Sequence, residues 1–330
     1  MLDLNDPTLQ LALDLARQAA LLAVRVQAEM VTPAETKPDH SPVTIGDYAA
    51  QALVAARLQA TDPHAVLVGE ETADTLRQPA SADMLARVTH FVKSALPQAD
   101  PAQICEWIDL GAAVPARRYW TLDPIDGTKG FLRREQYASA LALIEDGRVK
   151  IAVLGCPNLR EGYIVDIGGP GSLVVAVRGK GAWTRPLDAD GDFKQLGVSA
   201  LADPGRARLL RSAEAAHTNV DKLDDIAAQL GVTAEPVRMD SQAKYAVLAA
   251  GQGELLFRLL STKMPDYREK LWDQAAGALI VEEAGGTITD LDGKLLDFSA
   301  GRVLVNNRGV LASNGRLHAV ALEAMRAVGA

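Results

Sequence analysis

The chain has 330 residues and a formal net charge of −8, from 34 Lys and Arg against 42 Asp and Glu. Its apolar share of 48% and charged share of 23% suit a globular protein, and no run approaches the ~20 apolar residues that cross a bilayer. A broad nucleic-acid surface needs clustered cations, which the acidic balance argues against, whereas a small anion is admissible where bound metal reverses the local charge.

The start, Met1-Leu2-Asp3-Leu4-Asn5-Asp6, lacks a basic n-region and an apolar h-region, so a cytoplasmic protein is expected. The length exceeds what one core usually serves, so two tightly packed lobes are expected. From Pro7 to about Met30, recurring Leu and Val among Ala, Arg and Gln predict a long helix opened by Asp6-Pro7. Thr32 to Pro42, with Pro33, Pro38 and Pro42, reads as a loop, and Gly46-Asp47 leads into a second helix to about Gln59. Ala65 to Val68 is a short apolar run ending at Gly69, a strand that delivers Glu70 and Glu71 at its C-terminal end.

Between about Arg117 and Trp183 the texture is that of a mostly antiparallel sheet, with strands expected at Ala138–Ile144, Lys150–Leu154, Tyr163–Ile167 and Leu173–Val177. Beyond Asp188 strands and helices alternate: strands at Arg208–Arg211, Glu235–Arg238 and Glu254–Leu259, helices at Asn219–Leu230, Gln242–Ala250 and Leu271–Ala284. That alternation predicts an α/β lobe over 189–330, after an α+β lobe over 1–188. Cys105 and Cys156 are too few for a disulfide framework and lack metal-ligand spacing, so two buried thiols are expected.

In Trp120-Thr121-Leu122-Asp123-Pro124-Ile125-Asp126-Gly127-Thr128, two acids flank a proline just after an apolar strand end. Such a turn could aim both carboxylates at one hard cation, and Gly127 would let the backbone approach a phosphate. The hexapeptide Asp123 to Thr128 also suits an Asp-Pro turn followed by an Asp-Gly turn. Glu70 and Asp273 are the acids that could complete a site. Each also has an ordinary reading, Glu70 as a solvated loop acid and Asp273 as a first-turn acid favoured by a helix dipole. Asp47 likewise suits a helix start.

Taken together, Gly69-Glu70-Glu71, Asp123-Pro124-Ile125-Asp126-Gly127-Thr128 and Trp272-Asp273 followed by Glu283-Ala284-Gly285-Gly286 resemble the three signatures of the inositol monophosphatase superfamily, lithium-sensitive, magnesium-dependent phosphatases. The resemblance spans about residues 10 to 320 and implies a layered α-β-α-β-α sandwich. Ser41 to Gln51, Thr128-Lys129-Gly130-Phe131-Leu132-Arg133 and Met239 to Tyr245 look most like the 3'(2'),5'-bisphosphate nucleotidases within it. That likeness implies hydrolysis of the 3'-phosphate of adenosine 3',5'-bisphosphate, and of 3'-phosphoadenylyl sulfate. An inositol phosphate phosphatase and a non-catalytic nucleotide sensor are the alternatives.

By the same resemblance two or three Mg²⁺ ions are implied. Glu70, Asp123 and the Ile125 carbonyl would hold one, and Asp123, Asp126 and Asp273 another. Asp47 and Thr128 would activate water. Gly127, Thr128, His217, Ser241, Lys244 and Arg258 would contact the nucleotide, with the second lobe completing the site. From their sequence alone, Ser241 also suits an N-cap and Lys244 and Arg258 a solvated face. A monomer acting on a small phosphorylated nucleotide is expected, with neither nucleic acid nor membrane as partner.

Overall fold

The apolar stripe near the start forms the helix Pro7–Glu29, which buries Leu9, Leu13, Ala16, Ala20 and Ala23. It presses so closely on the sheet that a Cβ at Gly155 would lie 2.5 Å from Ala20 Cβ. In this computed structural model the described residues are 2–29, 35–36, 42–212, 219–261 and 263–330. Most of the loop expected from Thr32 to Pro42 lies outside them, apart from Glu35–Thr36, which pairs antiparallel with Pro42–Val43.

Two sheets organise the described residues. The larger has seven strands in the spatial order Lys194–Gln195, Gly181–Pro186, Ser172–Val177, Arg148–Cys156, Ala138–Glu145, Arg118–Asp126 and Leu67–Gly69. Its pairs are antiparallel except the last, where Leu67–Gly69 runs parallel to Arg118–Asp126. Parallel pairing places Gly69 beside Leu122, so the ends carrying Glu70 and Asp123 emerge at the same edge. The strand Arg118–Asp126 is buried almost throughout because both faces are covered.

On one face lie Pro7–Glu29 and Ile45–Thr61, whose apolar residues pack with Trp120, Leu141, Val153 and Val175. On the other lie Ala243–Ala249 and Ala275–Glu283, in a core shared with Ala140, Ala152 and Val174 of the large sheet and Leu210, Leu256 and Ala312 of the small one. The small sheet orders Val237–Arg238, Leu209–Arg211, Leu255–Arg258, Val310–Ser313 and Thr287–Thr289. Its outer face is covered by Val220–Gln229 and His318–Ala327. The succession is the expected α-β-α-β-α sandwich.

Besides the elements Gly181–Pro186, Thr287–Thr289, Val310–Ser313 and His318–Ala327, which were not expected, three departures bear on the sheet and its cover. The helices Ala82–Ala95 and Pro101–Asp109 were not expected, although Met84, Val88, Phe91 and Val92 fall at helical spacing and are buried. The strand expected at Tyr163–Ile167 shrinks to Ile164–Val165 and, among the described residues, pairs only with Leu159–Arg160. It is an excursion outside the sheet, because Arg148–Cys156 and Ser172–Val177 pair directly with each other. Finally, Lys194–Gln195 completes the large sheet from beyond residue 188. Cys105 and Cys156 are buried free thiols, and among the described residues no helix is long and apolar enough to cross a membrane.

The two central helices touch at Gly277, where a Cβ would lie 2.0 Å from the Tyr245 ring. The ring is buried and cannot swing away. Gly277→Ala is therefore expected to destabilise the protein by about 1–3 kcal/mol through overpacking, read from the urea midpoint. An unchanged midpoint would show that the two helices separate freely.

Candidate active site

The site begins where the ladder between Arg118–Asp126 and Ala138–Glu145 breaks. Asp123 pairs with Ala140 and Asp126 with Ala138, so the register shifts between the two acids. The Pro124 carbonyl, freed from the ladder, accepts from Ser139 Oγ at 2.7 Å. Both acids thus lie within the strand's irregular end, with Ile125 buried between them. Gly127 follows at φ 88°, a left-handed conformation that glycine adopts without strain. Thr128 opens the short helix Thr128–Arg133 and donates from Oγ1 to the Ile125 carbonyl at 3.3 Å.

Asp47 is a helix-start acid and a candidate site residue at once. Thr44 caps Ile45–Thr61 in a capping box: Thr44 N and Oγ1 donate to Asp47 Oδ2 at 2.8 and 2.7 Å. This holds the buried carboxylate in one orientation. Gly46 beside it leaves room for Ile125, since a Cβ there would lie 2.6 Å from Ile125 Cδ1. The helix start and the acidic turn therefore interlock.

Glu70 and Glu71 leave the Leu67–Gly69 strand together, and Asp47, Glu70 and Glu71 offer oxygens that all lie within 4.8 Å of one another. Glu71 has no role in the expected ligand set, yet it stands in this group. Its backbone is held by the buried Gln51, which donates to Glu71 O and Ile108 O at 2.7 Å and accepts from Glu71 N at 3.0 Å. Gly69 and Gly111 make room for that amide, because a Cβ on either would come within 2.5 Å of it.

Asp273 requires a correction: the helix it was expected to open begins only at Ala275, and Asp273 lies in the turn before it. The turn is set by the buried Gln242, which donates to Trp272 O at 3.0 Å and accepts from Gly277 N at 3.1 Å. Arg258 faces this turn. Its Nη2 lies 2.7 Å from Glu269 and 3.8 Å from Asp273. Glu269 in turn accepts from Gln274 Nε2 at 2.8 Å, and Gln274 accepts from Tyr245 O–H at 2.5 Å.

Ser241 and Lys244 were expected in one helical turn, but the helix starts at Ala243, so only Lys244 lies in it. Ser241 precedes it at φ 69° and packs against Gly127, where a Cβ would lie 2.8 Å from Ser241 Cβ. The next amide, Gln242 N, donates to Asp126 Oδ2. Lys244 and Arg258 are not solvated surface cations. Lys244 is buried, with Nζ 3.3 Å from Met239 O and 3.4 Å from Ser212 Oγ, and the Arg258 side chain is only 28% exposed. His217 lies outside the described residues.

The inositol monophosphatase family matches residues 4–330 of this chain. The chain belongs to that family. Relatives named 3'(2'),5'-bisphosphate nucleotidase are 39% identical in Schizosaccharomyces pombe, covering 98% of this chain and 96% of the relative, and 39% in Emericella nidulans, covering 94% and 95%. One from Arabidopsis thaliana is 40% identical over 95% of both chains. Among solved structures, the Thermotoga maritima IMPase superposes with a TM-score of 0.66 at 20% identity, covering 97% of each chain. An IMPase/NADP phosphatase solved with Mg²⁺ and phosphate gives 0.62 at 20% identity, covering 95% of this chain and 92% of the other. At such identity these two structures speak to the fold.

In this family member Asp47 and Asp123 are buried, and Glu70, Asp126 and Asp273 are half-buried beside them. Burial, then Glu70, Asp126, Asp273 and Asp47, push the Asp123 carboxyl well above its ordinary range. Burial raises Asp273 in the same way, with Glu269, Asp126 and Glu70 adding to the rise and Arg258 opposing it. Burial also raises Asp126, against the pull of Lys244 and Arg258. Asp123 Oδ1 is buried and has no hydrogen-bond partner among the described residues. Crowded carboxylate oxygens of this kind suit a hard divalent cation, which would offset their repulsion and use the unpartnered oxygen.

Stability should carry the signature of that repulsion. A buried carboxyl raised in the fold contributes stability below the unfolded pKa and loses it as pH rises through the folded pKa. Metal-free protein is thus expected to lose stability from acidic to neutral pH, while the gain in Tm on adding Mg²⁺ grows over the same range. At pH 7.5 in EDTA, Asp123→Asn should melt higher than wild type and gain far less from Mg²⁺. Thermal unfolding with and without metal checks both; a metal-free Asp123→Asn less stable than wild type would contradict the crowding.

Proposed function

We propose that the chain hydrolyses the 3'-phosphate of adenosine 3',5'-bisphosphate, giving AMP and phosphate, with Mg²⁺ as cofactor, and that 3'-phosphoadenylyl sulfate is also a substrate. The reading is carried by one juxtaposition: a crowded acidic site, with Asp126 hydrogen-bonded to the loop that carries Ser241 and leads to Lys244. A substrate with two phosphates has use for both parts. The near-full-length relatives named 3'(2'),5'-bisphosphate nucleotidase support the choice.

In this reading Glu70, Asp123, the Ile125 carbonyl, Asp126 and Asp273 hold the metal ions, which when bound neutralise phosphate charge and favour ionisation of water. Asp47, fixed by its cap, and Thr128 orient the attacking water; the water's oxygen bonds to phosphorus as the bond to the 3'-oxygen breaks, its proton passes to Asp47, and the leaving 3'-oxygen takes a proton from solvent. Gly127, by admitting Ser241 at close range, brings the turn and the Ser241 loop together around the phosphates. Ser241, Lys244 and Arg258 receive the remote 5'-phosphate. Burial pushes the Lys244 ammonium down to about 8, with Asp126 and Asp240 acting in the opposite sense and Arg258 reinforcing the fall. Glu269 holds Arg258 at one end of its guanidinium.

Phosphate release from adenosine 3',5'-bisphosphate beside inositol 1-phosphate tests the substrate class, with the nucleotide expected to be hydrolysed more efficiently. Lys244→Met, which keeps the packing of the buried stem, is expected to lower kcat/KM for the bisphosphate by roughly ten- to a hundredfold, as loss of a charge-assisted hydrogen bond implies. Adenosine 3'-monophosphate, lacking the second phosphate, should be little affected. Equal losses on both substrates would assign Lys244 to folding or to the reacting end.

A further inference from the structure

The side chain of Arg302, from a segment remote in sequence from every acid of the site, ends between the two strand and turn ends that carry Glu70 and Asp273. Its Nη1 donates to Gly111 O at 2.8 Å and Ala113 O at 2.9 Å, and its Nη2 to Gly69 O at 2.6 Å. Its guanidinium lies 4.9 Å from the centre of the Trp272 ring. Its own carbonyl accepts from Leu271 N at 3.1 Å, and Val303 bridges to Lys270. One residue thus holds the peptide before Glu70 with its side chain and the approach to Asp273 with its backbone and its stacking.

The Gly69–Glu70 peptide is a rigid plane. Its oxygen is bound by Arg302 and its N–H donates to Leu122 O at 3.2 Å, one residue before Asp123. The direction in which Glu70 leaves the backbone is therefore set from both sides of one plane, and one of those sides is anchored to the Trp272-Asp273 turn. None of the contacts of the half-buried Arg302 among the described residues is a carboxylate. An ammonium could not serve diverging carbonyls and stack on an indole at the same time, because that combination needs a flat, forked cation.

We propose that Arg302 is a positioning residue that sets Glu70 against Asp123 and Asp273 and so fixes the spacing of the divalent-cation site. The proposal rests on the reading of Glu70 and Asp273 as metal ligands. It makes a prediction opposite to plain electrostatics. A cation beside a metal site repels the metal, so deleting its charge alone would tighten metal binding; deleting a positioning group loosens it.

The test uses Mn²⁺ as probe, with free ion measured by electron paramagnetic resonance during titration of metal-free full-length protein, and thermal unfolding in EDTA alongside. Arg302→Met is expected to weaken Mn²⁺ binding by roughly tenfold or more, the usual scale for loss of a group that orients metal ligands. Arg302→Lys, which keeps the charge, should also weaken it, and this variant carries the same measurement if Arg302→Met does not fold. Glu70→Gln is the control. Should Glu70→Gln leave Mn²⁺ binding unchanged, the metal reading itself fails. Should it weaken binding while Arg302→Lys or folded Arg302→Met binds Mn²⁺ as tightly as wild type or tighter, the positioning role is overturned, whatever the loss in Tm.

Discussion

Mutual repulsion among buried and half-buried carboxylates is the constraint on which the rest of this structure depends. Two unit charges 4 Å apart repel by about 4 kcal/mol at an effective dielectric of 20, while a whole domain is stable by only about 5–15 kcal/mol. A cluster in which Asp47, Glu70, Asp126 and Asp273 all act on buried Asp123 must therefore be held from outside and relieved by protons or a cation. What holds it is a set of hydrogen bonds from uncharged side chains. Gln51 clamps Glu71, Thr44 clamps Asp47, Gln242 clamps the Asp273 turn, and Ser139 clamps the Pro124 carbonyl.

These clamps explain why so many glycines and amides cluster near the acids. Gly46, Gly69 and Gly111 are spaces that Ile125 or Gln51 fill, and Gly127 is the space into which Ser241 fits. The acidic turn and the Ser241 loop are consequently one packed unit rather than two neighbours, since Gln242 donates to Asp126 across their junction. Arg133 adds a further tie, with Nη2 2.6 Å from Asp240 Oδ2. In the proposed reading, this fixed junction would set the separation between a reacting phosphate and a remote one, as a rigid site does when it positions a substrate.

Much of this was legible in the residues. The helix Pro7–Glu29, the strand ending at Gly69 and the α/β alternation after residue 188 follow from apolar spacing and turn residues. The acids Glu70, Asp123, Asp126 and Asp273 stand out because short motifs carry them. Asp47 had two readings, helix start and site acid, and the capping box shows that the first is what aims it. Lys244 and Arg258 looked like surface cations as plausibly as site residues, because nothing local distinguishes a buried lysine from an exposed one.

The sequence by itself determined the fold class, many of the elements and the identity of the acidic motifs, because these depend on periodicity and on residues near one another in the chain. Only the tertiary structure decided that Asp273 precedes its helix and that Glu71 joins Asp47 and Glu70. It alone showed Arg302 bound to Gly69 and stacked on Trp272. The first is set by Gln242 across the fold, and the others are contacts between segments far apart in sequence. No pattern in a local window records such contacts; packing of the two sheets against their shared helices creates them.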